Sequence, residues 1–551
     1  MAHPRSMGIP AATWITQTRA RNSSRILVAL SRTACHPASR MRYSFRHGTY
    51  RTKPVSIMMS PSRTDFLNGP PRPLALVLPQ PPVEVFELYR RLSRSDKASF
   101  LLESGRGNST TARYSFMGND PYLILTGGHD STMIEKDDRT EVIPQAAFSY
   151  LNQLMLDSVI SLPPNLPPFY GGAVGYLSYD WARSLETIPS LATDDVGLPH
   201  IQFAFMDLVV AVDHQSHRLY LIFCPPLSRF RAEPREKLYR EGVDRLAELE
   251  ARLGIPADPV QRAENTNRML FTPDQSRMSY TDRVRRCQEY IAAGDIYQAN
   301  ISHRFTLDRG TAVESLLNNP VSSLRYHQLR AVNPSPFAGL LCFENVCLVS
   351  SSPERLICLR GRRAETRPIA GTRPRGRTPD EDRRLIFELL GNEKERAEHL
   401  MLVDLERNDL GRVCDYGSVQ VTDFMATEQY SHVSHIVSNI SGILRHGITR
   451  FELIKAVFPG GTITGVPKVR CMEIIEELEP TRRGPYTGAL GYLSWSGDLD
   501  FNILIRTLVM TKERSYLQVG AGIVADSQPD REYEETLHKA EACFKALGRP
   551  A

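Results

Sequence analysis

The segment with the clearest pattern in this chain is Lys394-Glu-Arg-Ala-Glu-His-Leu-Met-Leu-Val-Asp-Leu-Glu-Arg-Asn-Asp-Leu-Gly-Arg-Val413. It contains no proline, and Glu395, Glu398 and His399 follow at helical spacing, which predicts a helix carrying all three on one face. A second segment, Glu532-Tyr-Glu-Glu535, repeats the arrangement near the C-terminus. Two carboxylates on each of two helices are able to hold Mg²⁺ through one or two protein oxygens and leave room for substrate and water. Solvated helix faces are the alternative, because charge pairs at this spacing are common on helix surfaces.

The overall composition is that of an ordinary globular protein. The 551 residues suffice for several domains, or for one large enzyme unit. No apolar run approaches the ~20 residues needed to span a bilayer, so no transmembrane helix is expected. The nine cysteines show no C-x-x-C pair and no zinc-type spacing, which predicts scattered reduced thiols.

The net charge of +5 comes from the N-terminal segment. Residues 1–64 contain ten Arg, one Lys and no acidic residue, so the remaining 56 basic and 62 acidic residues give residues 65–551 a net charge of −6. This acidic body argues against a general affinity for nucleic acid. The leader has the composition of an organelle transit peptide, or is an upstream extension of a bacterial reading frame that starts at Met58 or Met59. We expect it to be disordered, and the protein to be cytoplasmic, or plastidial if the leader is a transit peptide.

Three regions follow the leader: an N-terminal region at 65–253, a polar linker at 254–273 and a second region at 274–551. Phe169-Tyr-Gly-Gly-Ala-Val-Gly-Tyr-Leu-Ser-Tyr179 and Pro485-Tyr-Thr-Gly-Ala-Leu-Gly-Tyr-Leu-Ser-Trp495 share seven identities in eleven positions. Glycines that alternate with aromatic residues are typical of strands that approach another backbone closely. We therefore predict an α+β fold in which two related β-sheets face each other in a sandwich-like core, with helices outside.

Two glycine-rich segments and one arginine complete the pattern of the second region. Phe458-Pro-Gly-Gly-Thr-Ile-Thr-Gly465 opens a predicted helix, with backbone N–H groups able to face an anion. Val519-Gly-Ala-Gly522 is a second such cradle, and Arg506 lies on the strand before it. Each signal is weak alone, because most short glycine motifs are simple turns.

In this order, however, the motifs are specific. The segment from about Asp295 to Ala546 closely resembles the chorismate-binding enzymes, a family that includes anthranilate, aminodeoxychorismate, isochorismate and salicylate synthases. The resemblance extends more thinly through Leu101-Leu-Glu-Ser104 and Arg113-Tyr-Ser-Phe116. It implies a catalytic domain at 274–551 that binds chorismate, with Mg²⁺ on the ring carboxylate.

The resemblance also implies roles for individual residues. Glu398 and Glu535 match the direct or water-mediated Mg²⁺ ligands, with Glu532 and Glu395 as carboxylate partners; we group Glu532 with the metal site and Glu395 with the catalytic residues. His435 matches a general acid beside the departing hydroxyl. The other implied residues are Thr462 and Lys468 on the catalytic side, and Arg506, Tyr486, Gly520, Ala521, Gly522, Gly371, Thr372 and Gln298 on the substrate side.

Among the substrate residues, Arg506, Tyr486 and the amides of residues 520–522 match the clamp on the enolpyruvyl carboxylate, which a planar guanidinium suits. Lys468 has the alternative of a surface cation at a helix start. Members of the family that add water carry a lysine at the position of Gln298, so this glutamine favours ammonia as the nucleophile.

The product depends on which ring carbon is aminated. Several local sequences resemble the aminodeoxychorismate synthases, which aminate C4 and retain the enolpyruvyl ether: Tyr297-Gln-Ala-Asn300, Phe458 to Gly465, Pro485-Tyr-Thr487 and Asp500-Phe-Asn502. Ala370 departs from those members that have a nucleophilic lysine at this position. Anthranilate formation, with amination at C2 and loss of pyruvate, is therefore the alternative.

The chain also resembles family members that depend on a partner. No G-x-C-x-G motif surrounds any cysteine, so we expect ammonia to come from a separate glutaminase subunit, and neither nucleic acid nor membrane to be a partner. Leu101-Leu-Glu-Ser104 resembles the tryptophan-binding region of anthranilate synthases, which raises a non-enzymatic, regulated scaffold as a further hypothesis. The second feedback segment reads Asn333-Pro-Ser-Pro-Phe337-Ala338 instead of ending in the family's Tyr-Met, so we expect weak or no inhibition by tryptophan.

Overall fold

The structure, a computed structural model, describes residues 58–92, 97–104, 113–156, 159–161, 163–257, 271–308, 320–429 and 433–547. All of them belong to one compact unit, Val55–Ala551. The predictions for residues 1–57 and for most of the linker, 258–270, fall outside the described residues. Of residues 58–64, assigned to the leader from composition, Met58–Ser60 form the first strand, and Arg63 and Thr64 begin the first helix.

The strands of the first part of the chain are short. They are β1 Met58–Ser60, β2 Leu74–Pro79, β3 Ala98–Glu103, β4 Tyr114–Asn119, β5 Leu123–Gly127, β6 Thr132–Lys136, β7 Arg139–Ile143, β8 Gly172–Leu177, β9 Ile201–Met206, β10 Leu208–Asp213, β11 Arg218–Phe223 and β12 Thr272–Pro273. Those of the second part are β13 Gln298–Asp308, β14 Phe337–Phe343, β15 Cys347–Ser352, β16 Arg355–Arg360, β17 Arg363–Arg367, β18 Ile369–Pro374, β19 Gln420–Gln429, β20 Val433–Ile443, β21 Gly465–Val466, β22 Ala489–Ser494, β23 Leu499–Ile503, β24 Thr507–Met510 and β25 Arg514–Ile523.

The helices lie between these strands. They are α1 Arg63–Asn68, α2 Val85–Leu92, α3 Ala147–Leu156, α4 Leu227–Ala232, α5 Arg235–Leu253, α6 Arg277–Ala292, α7 Pro320–Val332, α8 Pro379–Gly391, α9 Glu393–Gly411, α10 Arg450–Val457, α11 Lys468–Leu478 and α12 Pro529–Leu547, with short 3₁₀ helices at Tyr179–Ser184 and Gly461–Ile463. None of these helices of the described residues is long and apolar enough to cross a membrane.

The strands of the described residues form two antiparallel sheets. The first has the order β1-β2-β11-β10-β4-β3-β14-β15-β24-β25-β13-β12, with β21 also on β13. The second has the order β18-β20-β17-β16-β23-β22-β8-β9-β5-β6-β7, with β19 also on β20. The predicted α+β fold of two sheets and packed helices is confirmed. Both sheets join strands from the two predicted regions, because β3 pairs with β14 and β8 with β22.

The two echoing segments meet in the second sheet. They supply β8 and β22, which pair antiparallel with Gly175 opposite Gly491. A Cβ atom would lie 2.1 Å from the Gln202 carbonyl oxygen at Gly175, and 2.0 Å from the Asp500 carbonyl oxygen at Gly491. The predicted close backbone approach is confirmed, and only glycine fits at either position.

Helices α6 and α11 cover the end of the first sheet that contains β13 and β25. Val284 on α6 and Ile474 on α11 pack with Ile301 on β13 and Ile523 on β25 in a buried apolar cluster. This layer holds β13 and β25 rigidly beside α12, which packs against both α6 and β25.

Two cysteines differ from the prediction of free thiols. Cys342 and Cys347 face each other across the β14–β15 hairpin with Cα atoms 4.0 Å apart, and they form a disulfide. The pairing follows from the register of the hairpin, so no sequence motif indicated it. The other six cysteines of the described residues are free and buried.

Candidate active site

Helices α9 and α12 bring four carboxylates within electrostatic reach of one another. Asn392 caps α9 by accepting a hydrogen bond from the Glu395 amide at 3.0 Å, so Glu395 lies in the first turn and Glu398 one turn later. The pKa of Glu398 is raised, chiefly by burial and further by the charges of Glu395, Glu535 and Glu532. Because Glu532 and Glu535 lie on α12, the carboxylates of the two helices act on each other across the space between them.

Three cations border this carboxylate cluster. The ion pairs are Arg373 with Glu395 at 3.1 Å, Lys394 with Glu398 at 3.8 Å and Lys539 with Glu535 at 2.8 Å. Glu532 is buried, and burial together with the nearby Glu535 charge raises its pKa. The cluster therefore carries more negative than positive charge, and a cation bound there would be stabilised.

The four carboxylates offer the oxygen donors that the implied Mg²⁺ requires. Among the described residues, no three His, Cys, Asp or Glu side chains already converge as a metal site. Mg²⁺ usually takes only one or two protein carboxylates and completes its shell with water and substrate oxygens. Glu398 and Glu535, with their hard oxygen atoms and surplus negative charge, fit that requirement.

A β-bulge sets the position of His435. Gly371 is the extra residue between Ala370, opposite Ile436, and Thr372, opposite His435. It has φ +67°, and a Cβ there would lie 2.9 Å from Glu395 Oε2. The left-handed backbone favours glycine here, and a larger residue would also displace the Glu395 carboxylate.

His435 itself is buried on β20. Its Nδ1 lies 2.9 Å from Thr372 Oγ1 and 3.4 Å from the Gly371 carbonyl oxygen. Burial and the Arg506 charge lower the pKa of His435 to about 3, against the weaker opposing effect of the Gly371 carbonyl. The imidazole is therefore neutral at working pH. In this state the ring can donate a hydrogen bond through its N–H group, and the role of His435 as an acid beside the departing hydroxyl stays a prediction.

Arg506 and Tyr486 border the glycine strand. The OH of Tyr486 lies 2.8 Å from the position a Cβ of Gly520 would occupy, so the phenol rests directly above this glycine. Residues 520–522 lie within β25 and not in a loop, and pair with β13. Pairing of β25 with β24 ends at Leu517, so no described strand covers its other edge at residues 520–522.

The backbone is strained beside this strand. Arg506 has φ 50° and Thr487 has φ 60°, both in the left-handed region that non-glycine residues rarely adopt. The Thr487 amide donates to the Leu504 carbonyl oxygen at 2.8 Å, which fixes the two segments together. Strain of this kind is retained where the surroundings impose it, and it clusters at functional sites.

Glu354 is a functional candidate that the sequence reasoning missed. It follows β15 in the turn Ser351-Ser-Pro-Glu354 and is fully enclosed. Burial raises its pKa to about 7, opposed by the Thr462 hydroxyl, the Ile369 amide and the charges of Arg506 and Lys539. Its Oε1 has no hydrogen-bond partner. The proline turn was visible in the sequence, but the enclosure of the carboxyl was not.

A second buried carboxyl stands behind Glu354. The pKa of Glu406 on α9 is raised well above its usual value by burial, and further by the charges of Glu354 and Asp409. The Thr366 hydroxyl donates to Glu406 and also lies 2.9 Å from the Leu356 carbonyl oxygen. This hydrogen bond opposes the rise in the pKa of Glu406 without cancelling it.

The two lysines of this area have different surroundings. Lys468 Nζ forms a buried ion pair with Asp409 at 2.6 Å and donates to the Val457 carbonyl oxygen. Lys468 is thus a buried, paired cation and not a surface cation. Lys539 was missed from the sequence, although it lies one turn after Glu535; it donates to the Gly520 carbonyl oxygen at 2.9 Å.

Gln298 and Asn300 lie on the same face of β13, over the glycine strand. A Cβ on Gly522 would meet Gln298 Nε2 at 2.4 Å, and one on Gly520 would meet Asn300 Oδ1 at 2.3 Å. The side-chain oxygens of both residues are buried without a hydrogen-bond partner. This side of the site therefore offers neutral hydrogen-bond acceptors and no base.

The two segments that resemble a tryptophan-binding region, residues 101–104 and 333–338, come together at a separate cavity. Glu103 pairs with Ala338 across β3 and β14, and both line a cavity of about 260 Å³. Asp500 and Asn502 line the same cavity; Asn502 donates to the Phe337 carbonyl oxygen and Asp500 binds Arg355. The local match at residues 500–502 therefore concerns this cavity and not the carboxylate cluster.

Comparisons with known proteins agree with this geometry. A family profile described as chorismate binding enzyme matches residues 97–545. Aminodeoxychorismate synthase component 1 of Bacillus subtilis is 43% identical over 483 residues, which cover 86% of this chain and 97% of that protein. Anthranilate synthase component 1 of Thermus thermophilus is 43% identical over 467 residues, covering 83% and 94%. Anthranilate synthase component I from Streptococcus pneumoniae superposes with a TM-score of 0.68 at 32% identity, covering 78% and 92%.

Proposed function

This chain belongs to the chorismate-binding enzymes, and on that premise we propose that it aminates chorismate with ammonia to give 4-amino-4-deoxychorismate. The observation that carries the proposal is the approach of α9 and α12, whose four carboxylates act on one another. An anionic substrate beside such a cluster needs a cation between them, and Mg²⁺ fits the oxygen donors.

Glu398 and Glu535 are the residues that would hold Mg²⁺, with Glu532 and Glu395 beside them. When bound, the ion supplies charge compensation for the substrate ring carboxylate. The excess negative charge of the cluster also repels that carboxylate when no cation is present, which makes turnover dependent on the metal.

Arg506 would bind the second carboxylate of the substrate, on the enolpyruvyl group. Its guanidinium suits a carboxylate bidentately, and Tyr486 with the open edge of β25 at residues 520–522 offers further donors. The strained backbone at Arg506 keeps this clamp in one orientation.

Glu354 is the group we propose to protonate the hydroxyl that leaves C4. Its pKa of about 7 lets it carry a proton at neutral pH and release it readily. His435, which is neutral, would orient the leaving hydroxyl by hydrogen bonding. Ammonia needs no base to become a nucleophile, in accord with Gln298 at the position where a water-adding enzyme would carry one.

The choice of product rests on fewer residues. Thr487 and Asn300 lie at the site and favour C4 amination by their resemblance, whereas Ala370 offers no nucleophilic side chain on the C2 side. Relatives of both kinds match with equal identity. Anthranilate synthesis, with amination at C2 and loss of pyruvate, is therefore the second candidate.

We propose a separate glutaminase as the source of ammonia, since relatives named as component 1 match over most of their length. Free ammonium at alkaline pH should then support turnover of the isolated chain. Turnover of glutamine by the purified chain alone would contradict this assignment.

Product identification is the decisive experiment. The chain is incubated with chorismate, Mg²⁺ and ammonium salt, and the products are separated by chromatography and identified by mass spectrometry. The expected product retains the enolpyruvyl ether and yields p-aminobenzoate only after a separate lyase is added. Fluorescent anthranilate with stoichiometric pyruvate would establish the second candidate instead, and no Mg²⁺-dependent consumption of chorismate would refute both.

A further inference from the structure

A second cavity, of about 270 Å³, lies at the far end of β20 from His435. It opens between the end of α3, the β16–β17 turn, the segment 444–449 and the start of α10. Its walls are largely apolar, with Met155, Leu359 and Phe451 among them. The chemistry proposed above gives this cavity no role.

The polar groups of this cavity are basic. Arg362, Arg445, His446 and Arg450 line it, and none of the described residues that line it is acidic. Arg362 is held outward by Asp415 and by the Leu444 carbonyl oxygen. Arg445 is held by the Arg412 carbonyl oxygen.

Arg450 is the exceptional member of this set, because it is buried and forms no ion pair with a described residue. Its guanidinium donates to the carbonyl oxygens of Ser494 at 2.6 Å and Met155 at 3.4 Å. Burial lowers its pKa to about 10, against the opposing charges of Asp498 and Tyr170. Asp498 is itself bound by the Gly361 amide at 2.9 Å.

The Asp498 charge offsets only part of the cost of burying Arg450, since the pKa of the guanidinium stays lowered and no ion-pair contact forms with a described residue. An anion in the adjoining cavity would offset more of that cost. Inorganic phosphate would satisfy the charge but leave the apolar walls uncovered. An anion with an apolar body matches both features.

We propose that this cavity binds a small organic carboxylate, with its carboxylate on Arg450 and its apolar body against Met155, Leu359 and Phe451. The site is separate from the chorismate site and does not depend on which product is formed there. Two of the segments that border it lead toward that site: residues 444–449 follow β20, which carries His435, and α10 leads to the loop that contains Thr462.

Calorimetric titration of the full chain with benzoate tests the proposal. Benzoate is also a ligand that the Arg506 clamp can take, so the titration is made in an Arg506→Gln background. Saturable binding is expected there, and adding Arg450→Gln should weaken it at least about tenfold. Benzamide, which has the same shape without the charge, should bind at least about tenfold more weakly than benzoate, and so should inorganic phosphate.

Ile448→Trp provides a second variant, since it fills the cavity and leaves Arg450 in place. It should abolish benzoate binding in the Arg506→Gln background even if the Arg450 variant does not fold. The proposal is refuted if no saturable benzoate binding occurs in the Arg506→Gln background, if filling the cavity or removing Arg450 leaves the affinity unchanged, or if benzamide or phosphate binds as tightly as benzoate.

Discussion

Replacing Glu354 by glutamine should stabilise the protein at alkaline pH while it lowers catalysis. The folded-state pKa of this carboxyl is about 7 against an ordinary value of 4.5. Because the folded value is the higher one, the wild-type protein loses stability as the pH rises from the ordinary value to the folded value. At about 1.4 kcal/mol per unit, the full loss is about 3 kcal/mol. Glutamine does not titrate, so the variant escapes this loss.

The assay compares urea unfolding of wild type and Glu354→Gln at about pH 5.5 and about pH 8.5. The free energy of unfolding of the variant relative to wild type should rise by about 2 kcal/mol between the two pH values, because only part of the titration falls in that window. Glu513→Gln, at an exposed position, serves as the control and should show no such change. The reasoning is refuted if the relative stability of Glu354→Gln is the same at both pH values.

The catalytic counterpart uses the same variant. Loss of a proton donor should lower kcat by about 10²–10⁴. When free NH3 is held at the same saturating concentration at every pH, the wild-type rate should fall as the pH rises through about 7, since Glu354 loses its proton there; turnover at alkaline pH then continues at a reduced rate. If the variant is more stable at alkaline pH and yet fully active, Glu354 is a buried carboxyl with a raised pKa that takes no part in the reaction.

Other outcomes follow from the same site. Glu398→Gln or Glu535→Gln should abolish Mg²⁺-dependent consumption of chorismate, because each removes a charged ligand from an ion that has few; wild-type turnover in either variant would return α9 and α12 to ordinary surface helices. His435→Ala should lower kcat more than it weakens chorismate binding, and an unchanged kcat would exclude His435 from the reaction. Tryptophan should inhibit weakly or not at all, measured as chorismate consumption at rising tryptophan, because Phe337 and Ala338 stand in the feedback cavity; strong inhibition would favour the anthranilate assignment.

The sequence alone determined the elements that depend on local pattern. Uninterrupted helical spacing predicted α9 and α12 with their glutamates, and alternation of glycine with aromatic residues predicted strands in close backbone contact. These succeed because side chains three or four positions apart on a helix, or two apart on a strand, share a face whatever the rest of the chain does. The α+β class and the two-sheet arrangement followed from such elements together with the family resemblance.

Only the tertiary structure decided properties that depend on distant neighbours. Burial raises the pKa of Glu354 to about 7 and outweighs the opposing effects of Thr462 and Arg506, which lie far from it in sequence. Burial and the Arg506 charge likewise lower the pKa of His435, and the fold gives Lys468 a buried partner in Asp409. Local sequence cannot set these states, since the desolvation of a charged group depends on everything packed around it. Strand register likewise paired the two echoing segments and joined Cys342 to Cys347, because register is fixed by long-range pairing and not by the residues of one strand.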